Sequence, residues 1–295
     1  MLEVERVEML SQLLELDIRN VPKFSLPSLP SSVESLSAEG GNEELLKSIV
    51  SNDNMYNLKL LCITSFTKLK ELPVEAGTLS ALEYLLIDYC DEMESLSEQL
   101  LQGVNSLRTL IVSACSRFKS LSDGMRHLSC LEELYITYCP QFVFPHNMNR
   151  LTTLRQLAVR GGNEKILDGL EGIPSLQDLY QSDFPSLTSL PDCLGAMTPV
   201  QVLQIKMFPK LSSLPDNFQQ LRNLQRLTIE DCPMLEKSCK RGKGEDWHKI
   251  AHIANLPPFV EPTKPTISGN LIDLPPFFIF YSFVICVTTI SNYMV

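Results

Sequence analysis

The residues that most often carry chemistry are sparse in this chain. Of its four histidines, His248 and His252 are four apart and would share one face of a helix, where two imidazoles can begin a zinc site. No third ligand stands near them and the order HExxH is absent. A terminal capping helix that buries Trp247 and Ile250 is therefore the better interpretation. Because no Ser-His-Asp or Cys-His arrangement can be assembled either, the sequence predicts no catalytic residue, no metal site and no enzymatic activity.

The nine cysteines give no sign of redox or metal chemistry. None of them shows CxxC spacing, and four fall at one position of a repeat, described below. An inward-facing cysteine is a small buried hydrophobe with a weak donor, and it is most stable in a reducing compartment. The amino terminus, MLEVERVEM, lacks an apolar signal core. Both observations favour a cytoplasmic protein.

No nucleotide or nucleic-acid site is predicted. The form GxxxxGK[ST] does not occur, and the run Gly242-Lys243-Gly244 has neither its spacing nor a preceding strand. The formal net charge of -10 repels phosphate backbones. We therefore expect no cofactor and no nucleic acid, and we expect partners whose surfaces are basic or neutral.

A repeat organises most of the chain. Its clearest copy consists of Leu82, Leu85, Ile87 and Cys90, which spell Leu-x-x-Leu-x-Ile-x-x-Cys. The first half alternates with period two, as a strand does. The second half, Leu-x-x-Leu-Pro in several copies, suits a short helical turn or an irregular return. Copies of the frame begin at residues 13, 33, 58, 82, 107, 131, 154, 176, 200 and 224, and four of them end in cysteine, at Cys90, Cys115, Cys139 and Cys232.

Stacking is what makes such a repeat stable. One unit cannot bury its apolar edge alone, but stacked units join their leucines into a continuous core and place their strands in parallel. The predicted fold is an α/β leucine-rich-repeat solenoid, a curved horseshoe with parallel strands on the concave face and short helical or irregular convex segments. Copies with glycine or phenylalanine at the cysteine position, such as Gly41, Gly162 and Phe208, are expected to be less regular. Another copy places Gln181 where an aliphatic residue is expected.

The repeat resembles that of plant nucleotide-binding resistance proteins with an amino-terminal coiled coil. The most telling stretch follows the last repeat, where Cys232-Pro233-Met234-Leu235-Glu236, Cys239-Lys240 and the run GEDWHKIAHI from Gly244 to Ile253 look like the closing segment of that family. The resemblance covers roughly residues 10 to 256. Since the phosphate loop is missing, the chain is interpreted as a partial member without the nucleotide-binding domain.

The resemblance implies a function. It predicts a protein-binding recognition module of an intracellular immune receptor, which senses pathogen effectors or guarded host proteins and can contact the switch domain of a full-length receptor. The alternative is a leucine-rich-repeat specificity scaffold, for example the substrate adaptor of a ubiquitin ligase, although no adaptor-docking box is visible in the sequence.

The concave face is the expected binding surface, because the x positions beside each strand project from it. Five of the eight tyrosines fall there. Tyrosine offers a large contact area with a polar end, but it is also common on strand surfaces for structural reasons. We expect these rings to project outward and not to be needed in the core. The predicted partner-binding residues, an aromatic centre with an acidic rim, are Tyr84, Asp88, Tyr89, Glu133, Tyr135, Tyr138, Asp178, Tyr180 and Asp183.

Three segments are predicted along the chain: a solenoid of about ten repeats over 1–235, a capping segment over 236–256, and a proline-containing linker with an apolar tail over 257–295. The 22 residues from Leu274 to Val295 carry no charge, which is about the length that a spanning helix needs. The strongly apolar part is shorter, however, and no basic flank would orient it. A cytoplasmic location is expected, and membrane anchoring through residues 274–295 is the alternative.

Overall fold

The computed structural model describes residues 12–21, 30–41, 44, 46–47, 55–72, 79–145, 148–170, 172–253 and 256. They belong to the first of two compact units, Met1–Phe259; the second is Val260–Val295. The predicted linker and apolar tail, residues 257–295, lie entirely outside the described residues. Among the residues that are described, no helix combines the length and the apolar character needed to cross a membrane.

Five-residue strands recur once per repeat because each frame alternates inward and outward side chains. They form one parallel sheet in the order β1-β2-β3-β4-β6-β8-β9-β10-β11-β12, while β5 and β7 form a separate parallel pair. Equivalent residues face each other, so that Leu110 lies opposite both Leu85 and Leu134. The strands are β1 Glu15–Arg19, β2 Ser35–Glu39, β3 Leu60–Thr64, β4 Tyr84–Asp88, β5 Ser95–Leu96, β6 Thr109–Ser113, β7 Ser120–Leu121, β8 Glu133–Thr137, β9 Gln156–Arg160, β10 Asp178–Ser182, β11 Val202–Lys206 and β12 Arg226–Glu230.

The return half of each repeat is short and mostly 3-10 helical, as the sequence predicts. The α-helices whose bounds lie within the described residues are α1 Glu98–Gly103, α2 Pro233–Ser238 and α3 Trp247–Ile250. At the start of α1 the Ser97 hydroxyl accepts a hydrogen bond from the backbone N–H of Leu100 at 3.2 Å, which satisfies one of the free amides of the first turn. The 3-10 segments are Met55–Asn57, Asp123–His127, Met148–Arg150, Glu164–Leu170, Asp192–Ala196 and Asp216–Gln220.

One continuous core runs through the stacked repeats. The inward leucines of the strands, such as Leu110 and Leu134, are completely buried. Aromatic rings extend the core beneath the return segments, where Phe118 and Phe142 stack with ring centroids 5.6 Å apart. Each repeat therefore contributes to a core that only its neighbours complete, which is how a solenoid is stabilised.

The cysteine position follows the strand, and there the thiol bonds to the backbone. The Cys115 Sγ donates to the Ser113 carbonyl at 3.2 Å and the Cys232 Sγ to the Glu230 carbonyl at 3.1 Å. Burial raises the pKa of the Cys232 thiol to about 12, so that it remains protonated and able to donate. Cysteine thus fills the core and also satisfies carbonyls where the chain leaves the sheet.

The glycine-containing repeats keep the hydrogen-bond ladder of the sheet. Strand β9, which precedes Gly162, keeps full register with both of its neighbours. The residue before the cysteine position is also glycine in these repeats, and its N–H continues the ladder, from Gly40 to the Thr64 carbonyl at 2.8 Å and from Gly161 to the Ser182 carbonyl at 2.9 Å. The sequence predicts that these repeats are locally less regular, and the positive φ values of Gly41 and Gly162 at the cysteine position are the local difference.

Gln181 is a polar residue within the core. It is completely buried and lies between Val159 and Ile205 in the sheet. Neither its Nε2 nor its Oε1 has a hydrogen-bond partner among the described residues. A buried polar group without a partner costs about 1–3 kcal/mol, so the repeat that begins at Leu176 is weakened by this side chain.

Replacing Gln181 with leucine is therefore expected to stabilise the protein. The free energy of unfolding should rise by about 1–3 kcal/mol, because the unmet polar group is removed at similar volume. Urea titrations should show a higher midpoint with an unchanged slope. Gln204→Leu, on the opposite face of the neighbouring strand, is the control and should not share the gain. An unchanged or lower midpoint for Gln181→Leu would contradict this description of the core.

The return segment of the repeat that begins at Val200 is closed by side chains from the capping segment. Leu214 donates its backbone N–H to the Asp246 Oδ2 at 2.8 Å and accepts at its carbonyl from the Lys249 Nζ at 2.7 Å. Lys249 and Asp246 form an ion pair at 2.9 Å, and both side chains are more than nine-tenths buried. Before the cap, the return segments of adjacent repeats pair through their backbones, as Ser189 does with Ser213.

The capping helix differs in one respect from its prediction. Ile250 is completely buried, as expected, but Trp247 is only half-buried. The Arg241 guanidinium lies 5.9 Å from the centre of its indole ring. The tryptophan therefore covers the edge of the core, and the buried contacts of this segment are made by Asp246, Lys249 and Ile250.

Candidate protein-interaction surface

The concave face carries the first, third and fifth residues of each long strand, which point away from the leucine core. Of the residues predicted to contact partners, Tyr84 and Glu133 begin their strands, and Asp178 and Tyr180 lie on β10. All four are half-buried. Burial, partly offset by the charge of Arg226, raises the pKa of the Asp178 carboxyl. These residues lie on one sheet, on strands β4, β8 and β10.

Three of the predicted residues lie at a special backbone position directly after their strands. Tyr89, Tyr138 and Asp183 have φ values of 51°, 53° and 64°, in the left-handed region that costs a non-glycine residue about 1 kcal/mol. The conformation lets each backbone N–H extend the ladder to the next repeat, for example from Tyr138 to the Arg160 carbonyl at 2.7 Å. It also turns the side chains outward, so that Tyr89 is 57% and Tyr138 44% exposed.

Tyr138 makes specific contacts with three neighbouring residues of this surface. Its hydroxyl donates to the Asp183 Oδ2 at 2.8 Å, and the Arg160 guanidinium carbon lies 5.3 Å from its ring centre. The ring rests on Gly161, where an added Cβ would be 2.8 Å from the ring. Burial and the hydrogen bond to Asp183 raise the pKa of the Tyr138 hydroxyl. We refer to Tyr138, Arg160 and Asp183 as the Tyr138 cluster.

Tyr135 does not lie on the exposed surface, contrary to the prediction. The side chain is completely buried between Ile111 and Ala158, its neighbours in the sheet. Its hydroxyl donates to the Glu133 Oε2 at 3.2 Å and accepts from the Gln156 Nε2 at 2.9 Å, and burial raises the pKa of the phenol. The third strand position is apolar in several adjacent repeats, and its side chains pack against one another at strand spacing.

Asp88 is also more buried than predicted, with 8% of its surface exposed. Burial raises the pKa of its carboxyl to about 6, against the opposing effect of hydrogen bonds with Ser113 and the Tyr89 backbone. Asp88 therefore supports the neighbouring strand and the turn at Tyr89. Seven of the nine predicted residues remain accessible: Tyr84, Tyr89, Glu133, Tyr138, Asp178, Tyr180 and Asp183.

Arg160 is a member of the surface that the sequence prediction omitted. It ends β9 and lies over Tyr138, although no single sequence signal marks it as part of the site.

The left-handed turn position was detectable in principle, since Gly40 and Gly161 occupy it in two repeats and both have positive φ. Asparagine and aspartate, which tolerate this conformation well, occupy it at Asn20 and Asp231.

Plant disease resistance proteins are similar to this chain in sequence. The chain is 32% identical over 185 residues to disease resistance protein RGA4 of Solanum bulbocastanum, a match covering 45% of this chain and 18% of that protein. The chain is a leucine-rich-repeat protein similar to plant disease resistance proteins. A second match, to disease resistance protein RGA1 of the same species, is 68% identical over 25 residues and covers 8% of this chain and 3% of that protein. The repeat protein thus matches less than a fifth of the length of either relative.

Solved structures resemble the repeat protein in fold. A chain of the mouse RP105/MD-1 complex aligns with a TM-score of 0.50 and 20% identity, over 75% of this chain and 38% of that one. The leucine-rich repeat domain of the type III effector XopL aligns with a TM-score of 0.42 and 19% identity, over 80% of this chain and 82% of that one. No family model matches the sequence.

Proposed function

We propose that this repeat protein is the protein-binding recognition module of a plant intracellular immune receptor. The observation that carries the proposal is the Tyr138 cluster, an exposed aromatic ring held by a hydrogen bond and a cation on a surface that also presents Tyr89. Aromatic residues with a charged surround are characteristic of the energetic centres of protein interfaces. A ring already fixed before binding loses little conformational freedom when a partner docks.

The chemistry of the surface favours a partner with basic residues. Glu133, Asp178 and Asp183 lie on or directly after strands of the sheet that carries the accessible tyrosines, and the chain as a whole has a formal net charge of -10. Such a surface attracts a basic partner and makes association sensitive to salt. The similarity to disease resistance proteins supports pathogen effectors or guarded host proteins as the partners, with recognition relayed to the switch domain of a full-length receptor.

Alanine substitution of Tyr89 and Tyr138 together is expected to abolish recognition. Removing two interface aromatics should weaken binding by about several hundred-fold, since residues at the centre of an interface contribute about 2 kcal/mol or more each and each 1.4 kcal/mol is about tenfold in affinity. The measurement is retention of proteins from infected leaf extract by the full chain, together with a leaf cell-death assay. Melting temperatures should change little, because neither ring belongs to the buried core.

Tyr56→Ala provides the matched control. Tyr56 is 51% exposed but lies in the 3-10 segment Met55–Asn57, away from the strands. We expect this variant to retain every partner that the parent protein retains. Loss of partners in Tyr56→Ala, with normal retention in the double variant, would show that the concave surface is only a strand surface.

A further inference from the structure

A second candidate site lies beside the concave face, along the edge of the sheet where strands β9 to β12 begin. It is a groove of about 570 Å³ that crosses several repeats, and nine of its eleven lining residues are uncharged. Its most regular members are Gln177, Gln201 and Gln225, each of which directly precedes a strand. Pro174 and Pro199 form part of its walls. The groove shares no residue with the Tyr138 cluster.

The backbone carbonyls of Gln177 and Gln201 each accept two hydrogen bonds from the next repeat. The Gln177 carbonyl accepts from the N–H groups of Gln201 and Val202, at 2.7 and 3.0 Å, and the Gln201 carbonyl accepts in the same way from Gln225 and Arg226. Two of the hydroxyl groups in the groove, those of Thr153 and Ser175, are also occupied. Ser175 Oγ, for instance, donates to the Leu154 carbonyl at 2.8 Å. These polar groups hold the repeats together and are not available to a ligand.

The glutamine carboxamides, in contrast, are available. Gln177 and Gln225 are exposed and Gln201 is half-buried, and none of the three side chains has a hydrogen bond with any other described residue. A carboxamide has both a donor and an acceptor and no charge, so it can pair with a peptide group of another chain. The three glutamines therefore form a row of carboxamides that resemble peptide groups and have no hydrogen-bond partner among the described residues.

The spacing of the row fits an extended polypeptide. Equivalent residues of adjacent parallel strands are about 4.8 Å apart, so the row spans about 10 Å, which three residues of an extended chain cover at about 3.3 Å each. The proline rings beside the row offer apolar surface without competing donors. A ligand chain that lies across the repeats would place its peptide groups against the carboxamides.

Charge restricts the chemistry of the occupant. The charged lining residues, Glu132 and Arg155, have opposite signs and lie at one end, so the rest of the groove is neutral within an acidic protein. A charged ligand would lose solvation there without gaining an ion pair. We propose that this groove binds an extended, uncharged polypeptide segment of a partner protein through the carboxamides of Gln177, Gln201 and Gln225.

The test uses random peptides displayed on phage, selected against the full chain and then measured by fluorescence anisotropy as synthetic peptides. Binding of the selected peptides should weaken by about tenfold in the double variant Gln177→Ala/Gln201→Ala, which removes two neutral hydrogen-bonding groups. Gln201→Glu should also weaken it, because it places a charge in the neutral groove at nearly the same size. Gln204→Ala, in the same repeat but on the concave face, should bind as the parent does.

Several results would contradict the proposal that the groove binds a peptide. If selection enriches no peptide, or if every enriched peptide binds the parent protein and the double variant equally, the groove is not a peptide site. Enriched peptides that are uniformly charged along their length would likewise overturn the proposal. Melting curves of all three variants establish that the fold is retained. Because the groove and the Tyr138 cluster are tested by separate residues, failure here leaves the proposed function untouched.

Discussion

Replacing Lys249 with methionine is expected to lower the free energy of unfolding by about 3–5 kcal/mol, the usual result of removing one partner from a buried ion pair. The substitution leaves the Asp246 carboxylate buried without its cation and the Leu214 carbonyl without its donor. Although burial alone would lower it, hydrogen bonds with Asp246 and Asp216 raise the pKa of Lys249. The ammonium is therefore charged at neutral pH, and methionine cannot replace its contacts.

An exposed ion pair supplies the control for this variant. The Lys119 Nζ lies 2.7 Å from the Glu94 Oε2, and about half of each side chain is exposed. Exposed pairs contribute little to stability, so Lys119→Met should leave the urea midpoint almost unchanged. Equal midpoints for Lys249→Met and Lys119→Met would contradict the role assigned to the buried pair in closing the solenoid.

Replacing Leu134 with alanine is expected to cost about 2–5 kcal/mol of stability, and Leu110→Ala a similar amount. Both leucines are completely buried and lie opposite each other in adjacent strands, so each truncation opens a cavity shared by two repeats. The measurement is the change in urea midpoint, with thermal melts beside it. Leu14→Ala is the matched control, since Leu14 is 57% exposed. Near-neutral effects of both inward substitutions would contradict the register of the repeat.

The architecture could be predicted from sequence because the same pattern of apolar residues repeats along most of the chain. Each frame fixes which side chains point inward, and ten frames in succession leave little freedom in how the strands align. Strand boundaries, the parallel order and the donor role of the buried thiols such as Cys115 all follow from that one pattern. The cap was recognised as a segment, but its buried ion pair was not, because a charged lysine in sequence gives no sign of whether it is buried.

The interaction surface could be predicted only in part. Alternation identifies which side chains leave the core, but it does not say how closely they pack on the other face. Tyr135 is buried because its neighbours there, Ile111 and Ala158, are apolar, and an apolar third strand position in adjacent frames is a signal that can be read from sequence. The outward turn of Tyr89 and Tyr138 depends on left-handed backbone, for which tyrosine itself gives no indication.

The most direct test of the recognition surface is site-specific photo-crosslinking. A photoreactive phenylalanine analogue would replace Tyr89, Tyr138 or Tyr56, one at a time, in the full chain expressed in infected leaf tissue. We predict that positions 89 and 138 crosslink to the same polypeptide and that position 56 does not, because a partner seated over the concave face contacts both rings in one complex. Crosslinks to a partner from position 56, with none from positions 89 and 138, would contradict the account.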